Sequence, residues 1–195
     1  ATSAPALYLA QDTHWSPAGV ELAARTVAEA LRARGWVEIG SEAYELHPVA
    51  LERLGDLIRM LQVPALERAT APETIVCSRV VRADIGQPYQ DDPAAAVLVL
   101  GDSFLRIYKT DEPGTAGFIA HLASELKQPI TSLVNDGGAS TLVRQELHRR
   151  PGLLHRKRVV IWEFVERDLR LGTEGWQPVP LPPLASGGDV EGGRR

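Results

Sequence analysis

The sequence predicts an α/β domain built on a central, mostly parallel sheet, and three observations carry that prediction. Short apolar runs alternate with helix-length segments along most of the chain. The run at residues 95–100 (Ala-Ala-Val-Leu-Val-Leu) is continuously apolar, as expected for a strand covered on both faces. Several of the runs end in loops rich in Asp, Ser, Asn and Gly. Alternating strands and helices imply parallel strands joined by helical crossovers, with helices on both sides of the sheet.

Residues 6–10 (Ala-Leu-Tyr-Leu-Ala) read as a first buried strand that stops at Gln11-Asp12. Ser16-Pro17 then opens a helix: serine caps free amides, and proline suits a first turn where its missing N–H has no partner. Val20, Ala24, Val27 and Leu31 follow at helical spacing, and Gly35 lies just beyond. Leu51, Leu54, Leu57, Ile58 and Leu61 predict a second amphipathic helix, ended near Pro64. Residues 64–95 read as a connection with a strand at Thr74–Val81 and a turn-rich stretch from Gly86 to Pro93. After the 95–100 strand come a helix from Gly117 to Leu126, a strand at Ile130–Val134, a helix through Leu147 and a strand at Val159–Phe164. The expected division is one domain over residues 1–172 and an irregular Pro/Gly-rich tail over 173–195.

With 195 residues the chain can bury one full core, and its 44% hydrophobic and 24% charged residues are ordinary for a globular domain. A net charge of −4 gives no general attraction for nucleic acid or an anionic membrane surface. Cys77 is the only cysteine, which excludes an internal disulfide and a cysteine-based zinc site. No apolar run approaches the roughly 20 residues of a membrane span. Because the chain starts at Ala1, the reading is of a mature or trimmed form.

Ligands in open parallel sheets bind beyond the carboxyl ends of the strands. Two motifs at such ends hold a nucleophile, a base and a carboxylate. Asp12-Thr13-His14-Trp15 follows the first strand, and Gly101-Asp102-Ser103-Phe104 follows the 95–100 strand. A serine hydroxyl is a weak nucleophile near neutral pH; an imidazole must take its proton and a carboxylate must hold the imidazole. Ser103, His14 and Asp12 can fill these roles. The bland alternatives are a turn at Gly-Asp-Ser capped by Asp102 or Ser103, and a structural histidine. Of the five histidines, His121 and His148 fall in helix patterns and His47 and His155 in polar stretches; His14 alone has a carboxylate two residues away at a strand end. The Ser103 amide, with Gly137 or Gly138, can face a developing oxyanion. Trp15 is a candidate for shaping a substrate pocket, and Arg106, Lys109 and Arg167 for holding an acidic ligand.

On these motifs the chain resembles the SGNH hydrolase-like domain of the alginate O-acetyltransferase family (AlgJ/AlgX type). Gly114-Thr115-Ala116-Gly117-Phe118-Ile119 and Val160-Ile161-Trp162-Glu163-Phe164-Val165-Glu166-Arg167 also resemble family segments, and the likeness covers about residues 5–170. The resemblance implies a three-layer SGNH-like fold whose motif order is circularly permuted, the Asp/His block preceding the Ser block. It implies an acetyl-serine mechanism with Ser103 as nucleophile, His14 as base and Asp12 as its partner. No cofactor or metal is expected. It further implies a polysaccharide acceptor, a membrane-bound acyltransferase supplying acetyl groups, and a periplasmic or otherwise extracytoplasmic setting. The asparagine that ordinary SGNH enzymes use as an oxyanion donor is replaced by Glu163, Glu166 and Arg167; Asn135 or Arg167 would have to complete the hole or bind substrate.

Three rival classes remain at this stage. A carbohydrate acetylesterase uses the same chemistry with water as acceptor. A metal phosphoesterase can also begin with Asp-x-His and Gly-Asp, but needs more Asp, Asn and His ligands than follow here. A non-catalytic glycan-binding or assembly domain can keep the fold.

Overall fold

The computed structural model describes residues 4–170 and 176–181. Its centre is a parallel sheet of three strands in the order β5-β4-β6. Strand β4 (Val97–Gly101) lies in the middle, between β5 (Thr131–Val134) and β6 (Val159–Trp162). All five residues of β4 are buried, which is why its sequence is unbroken apolar.

Successive β4 side chains separate the core into two layers. Val97 and Val99 join the larger cluster, with Val20, Ala24 and Ala28 of α1 (Pro17–Ala33) and Ile119, Leu122 and Leu126 of α5 (Phe118–Leu126). Leu98 and Leu100 face the other way, onto Leu133 and onto Val143 and Leu147 of α6 (Leu142–Arg149). Helices therefore cover both faces, as the alternating pattern predicts. Complete burial of each such Val or Leu contributes roughly 1.5–3 kcal/mol.

A second, antiparallel sheet of order β1-β2-β3 stands beside this unit. It comprises β1 (Tyr44–Arg53), β2 (Glu73–Arg82) and β3 (Gln87–Pro88). Strand β2 packs on α1 and α5, and its Cys77 is wholly inside the larger cluster. Burial pushes the Cys77 thiol up to about 12, so it is inert near neutral pH.

Two expected elements differ. Residues 6–10 form no sheet strand: Tyr8 makes a single antiparallel bridge with Trp15, and Leu7 and Tyr8 stay exposed. The chain folds back on itself there, with the Ser16 amide on the Leu7 carbonyl and the Leu9 amide on the His14 carbonyl. The leucine stripe from 51 to 61 is not one helix. Leu51 lies in β1 opposite Ile75, and only Asp56–Met60 is helical (α2), followed by α3 (Pro64–Ala69). Neither short helix buries a residue: of the five apolar side chains that suggested one stripe, Leu57 and Leu61 are exposed, while Leu51, Leu54 and Ile58 are half-buried.

Residues 176–181 have no regular structure, yet Trp176 meets the rings of Trp162 and Phe164 edge-on and its indole N–H donates to the Asp168 carbonyl. The rest of the 173–195 tail lies outside the described residues. Among the described residues no helix is long and apolar enough to cross a membrane.

Candidate active site

Strand β4 leads into Ser103, the candidate nucleophile. At its end Asp102 caps α4 (Ser103–Arg106) by accepting the Phe104 amide, 2.9 Å. The capping reading of Gly-Asp-Ser is thus met by Asp102, leaving Ser103 free at the first helical position. The Ser103 amide has no acceptor among the described residues, and it stands at a helix start where backbone donors favour negative charge.

His14, the candidate base, lies in the tight return at residues 9–16, held to α1 by Ser16. Its hydroxyl accepts the Gly19 amide and donates to the Ala6 carbonyl. His14 Nε2 lies 2.9 Å from Ser103 Oγ and Nδ1 lies 2.6 Å from Asp12 Oδ1. The histidine is 6% and the aspartate 3% exposed, so this chain of hydrogen bonds is shielded from water. Phe104 tilts against the imidazole at 4.9 Å, and Trp15 stacks on Phe118 and meets Phe104 edge-on. The Trp15 ring is therefore engaged in packing behind the base.

Sequence reasoning missed two residues that hold Asp12. Arg53, at the end of β1, donates from Nε to Asp12 Oδ2 at 2.9 Å. Asp56, at the start of α2, donates its amide to the same oxygen at 3.3 Å. The Asp56 carboxylate in turn accepts the Thr13 amide and hydroxyl at 2.7 and 2.5 Å, clamping the His14 loop. Burial opposes ionisation of Asp12. The hydrogen bonds from His14 and Arg53 outweigh it and hold the carboxyl far below its ordinary range. Replacing Arg53 by methionine should lower kcat/KM for any reaction run through Ser103 and His14 about 10- to 100-fold, the worth of one charge-assisted hydrogen bond. Acid unfolding should also begin at a higher pH, because Asp12 then protonates more readily. Steady-state kinetics and an acid titration followed by circular dichroism measure both effects.

The other expected donors are placed differently. The Gly137 amide donates to Asn135 Oδ1 at 2.9 Å and the Gly138 amide to the Asn135 carbonyl at 3.2 Å, so this turn closes on itself. Asn135 Nδ2 donates to Glu146, which commits its side chain as well. Of the three expected oxyanion amides, only that of Ser103 is unengaged in this conformation. Arg167 is exposed on α7 (Glu166–Arg170), where its charge acts on Asp102. Arg106 pairs with Asp111 and Asp136, and Lys109 with Asp91, so neither is an uncompensated cation.

Asp12, His14 and Asp56 bring their donor atoms close enough together to suit a metal ion. The atoms that approach one another, His14 Nδ1, Asp12 Oδ1 and Asp56 Oδ2, already hydrogen-bond within the triad and to Thr13. A cation there would break the Nδ1–Oδ1 hydrogen bond that orients the imidazole, so the set fits an organic triad better than a metal centre.

The family described as an SGNH hydrolase-like domain, acetyltransferase AlgX, matches residues 1–166. Among solved structures, the O-acetyltransferase domain of Pseudomonas putida AlgJ superposes with a TM-score of 0.68 at 23% identity, over 85% of this chain and 55% of that one. Pseudomonas aeruginosa AlgX gives 0.54 at 21% identity, over 84% of this chain and 37% of that one. The chain thus spans about half the length of the first of these structures and less of the second. No curated protein matches.

Proposed function

Given that the chain belongs to the family of SGNH hydrolase-like domains of the AlgX acetyltransferase type, we propose that it transfers acetyl groups to a polysaccharide through an acetyl-serine. The unbroken hydrogen-bonded line from Asp12 through His14 to Ser103 carries this reading.

In the first half-reaction Ser103 Oγ attacks the acetyl carbonyl carbon while His14 Nε2 takes the hydroxyl proton. Asp12 accepts the Nδ1–H and balances the charge on the imidazolium. The Ser103 amide faces the carbonyl oxygen as it becomes negative. Collapse expels the donor's leaving group, which receives the proton from His14 Nε2. In the second half-reaction the same nitrogen deprotonates a sugar hydroxyl, whose oxygen attacks the acetyl-serine; collapse expels Ser103 Oγ, which takes the proton back from His14 Nε2. Water in that place gives acetate and makes the protein an acetylesterase. The acceptor polysaccharide, an acetyl supply from a membrane-bound acyltransferase and an extracytoplasmic setting are proposed from the family.

Incubating the protein with an activated acetyl ester and uronate oligosaccharides tests this. Acetylated oligosaccharide should form with the wild type and not with Ser103→Ala, and a fluorophosphonate should label only the wild type. Acetate without acetylated oligosaccharide would assign the esterase instead. Equal turnover by the two proteins would overturn the catalytic reading.

A further inference from the structure

The Ser103–His14–Asp12 line leaves unused a carboxyl seated directly behind the nucleophile. Glu163 follows β6, its amide extending the parallel ladder to the Leu100 carbonyl at 2.8 Å. Its Oε2 accepts the Asp102 amide at 3.1 Å. The Asp102 carboxylate accepts the Phe104 amide. Two carboxyl groups thus grip the amides on either side of Ser103, and that grip sets where the Ser103 amide points. Glu163 fits because residue 101 is glycine: a Cβ there would lie 2.4 Å from Glu163 Oε2.

Because Glu163 Oε2 sits on the Asp102 amide, the two carboxyls are neighbours, and the charge of Asp102 acts on Glu163. Two carboxylates so close cannot both be ionised; a proton shared between them turns repulsion into a hydrogen bond. Asp102 is the better anion, since it accepts a helix-start amide and feels the Arg167 charge. We propose that Glu163 is a positioning residue: its protonated carboxyl donates to Asp102 and accepts the Asp102 amide, locking the nucleophile turn. This rests on the acyl-transfer reading of Ser103. Ionisation of Glu163 breaks the lock, so the protein carries an upper pH limit distinct from its triad.

The surroundings agree. Burial, with Asp102 beside it and Asp168 of α7 adding negative charge, pushes Glu163 up to about 8. A glutamate raised in the folded state stays protonated there while the unfolded chain has lost its proton. Its contribution is complete below the ordinary value of 4.5, declines as pH rises, and is gone above about 8.

Glu163→Gln preserves both hydrogen bonds and removes the titration. Wild-type acetyl transfer should fall about tenfold between pH 7 and pH 9, one unit past the midpoint. Glu163→Gln should match the wild type within about threefold at pH 6.5 and stay level to pH 9. Asp102→Asn should move the wild-type fall to lower pH, because removing the like charge eases ionisation of Glu163. Thermal unfolding gives a readout that needs no activity. The Tm of Glu163→Gln relative to wild type should climb from pH 5 to pH 8 and level off above. Should every protein prove inactive, the function fails while this Tm curve still judges the proton. A Tm difference constant across pH 5–9, or an alkaline fall identical in wild type and Glu163→Gln, overturns the proposal.

Discussion

Replacing His14 by alanine is expected to reduce acetyl-ester turnover by about 10⁵- to 10⁶-fold and to abolish fluorophosphonate labelling of Ser103. The imidazole is the only base within reach of Ser103 Oγ among the described residues, at 2.9 Å. Without it the hydroxyl must ionise unaided, at a pH far above neutrality. What survives is the contribution of binding and of the Ser103 amide, about 10³–10⁴ over the reaction in water. Since the two groups act as one unit, the double variant His14→Ala/Ser103→Ala should be no slower than either single variant. Initial rates for the three variants, with thermal melts to confirm folding, decide the matter. A His14→Ala protein retaining a tenth of wild-type activity would remove the histidine from the mechanism.

Asp12→Asn should cost about 10⁴-fold in kcat. The reason lies in the number of donors around that carboxylate. Oδ1 accepts His14 Nδ1 and the His14 amide, while Oδ2 accepts Arg53 Nε and the Asp56 amide. An asparagine has one oxygen for these two pairs. Arg53 is a permanent cation and claims it, which turns the amide NH₂ toward His14 Nδ1. The ring proton then moves to Nε2, and the histidine can no longer accept from Ser103. Stability carries a second signature. A carboxyl held far below its ordinary value stabilises the fold above the ordinary 3.8, and that gain disappears as acid protonates it. The wild type should therefore be the more stable protein at pH 6–8, with the difference shrinking below about pH 4. Chemical denaturation of both proteins across that range measures it.

Much of this site is legible in the sequence for a plain physical reason. A strand buried on both faces must be apolar throughout, so Val97–Leu100 announces both the sheet and the place where Asp102 and Ser103 emerge. The Asp12–His14 pair is equally visible because one short loop carries both groups, although the segment before it is a folded-back turn and not a strand. What escaped was support supplied from a distance. Arg53 and Asp56 lie inside the leucine stripe that reads as one helix. A helical period there conceals a strand end and a separate short helix, since the apolar residues that set the period, Leu57 and Leu61, are exposed. In the structure residues 49–53 alternate between half-buried and exposed, the period of a strand, which the leucine spacing conceals. The inward closure of the Asn135–Gly138 turn had no such signal: where an amide proton goes depends on backbone angles that composition does not encode.

The hydrogen bond joining His14 to Ser103 spans 89 positions of the chain. The loop carrying the base is made first during synthesis, and it acquires meaning only after the β1–β2 hairpin and β4 have been made and assembled. Contacts this remote in sequence impose a large loop-closure cost and gain nothing until the intervening elements are in place. Partly folded chains therefore hold the histidine and the serine apart. The Ser103–His14 hydrogen bond forms only with the completed topology, so recovery of fluorophosphonate labelling of Ser103 on refolding is expected to report the arrival of the whole domain.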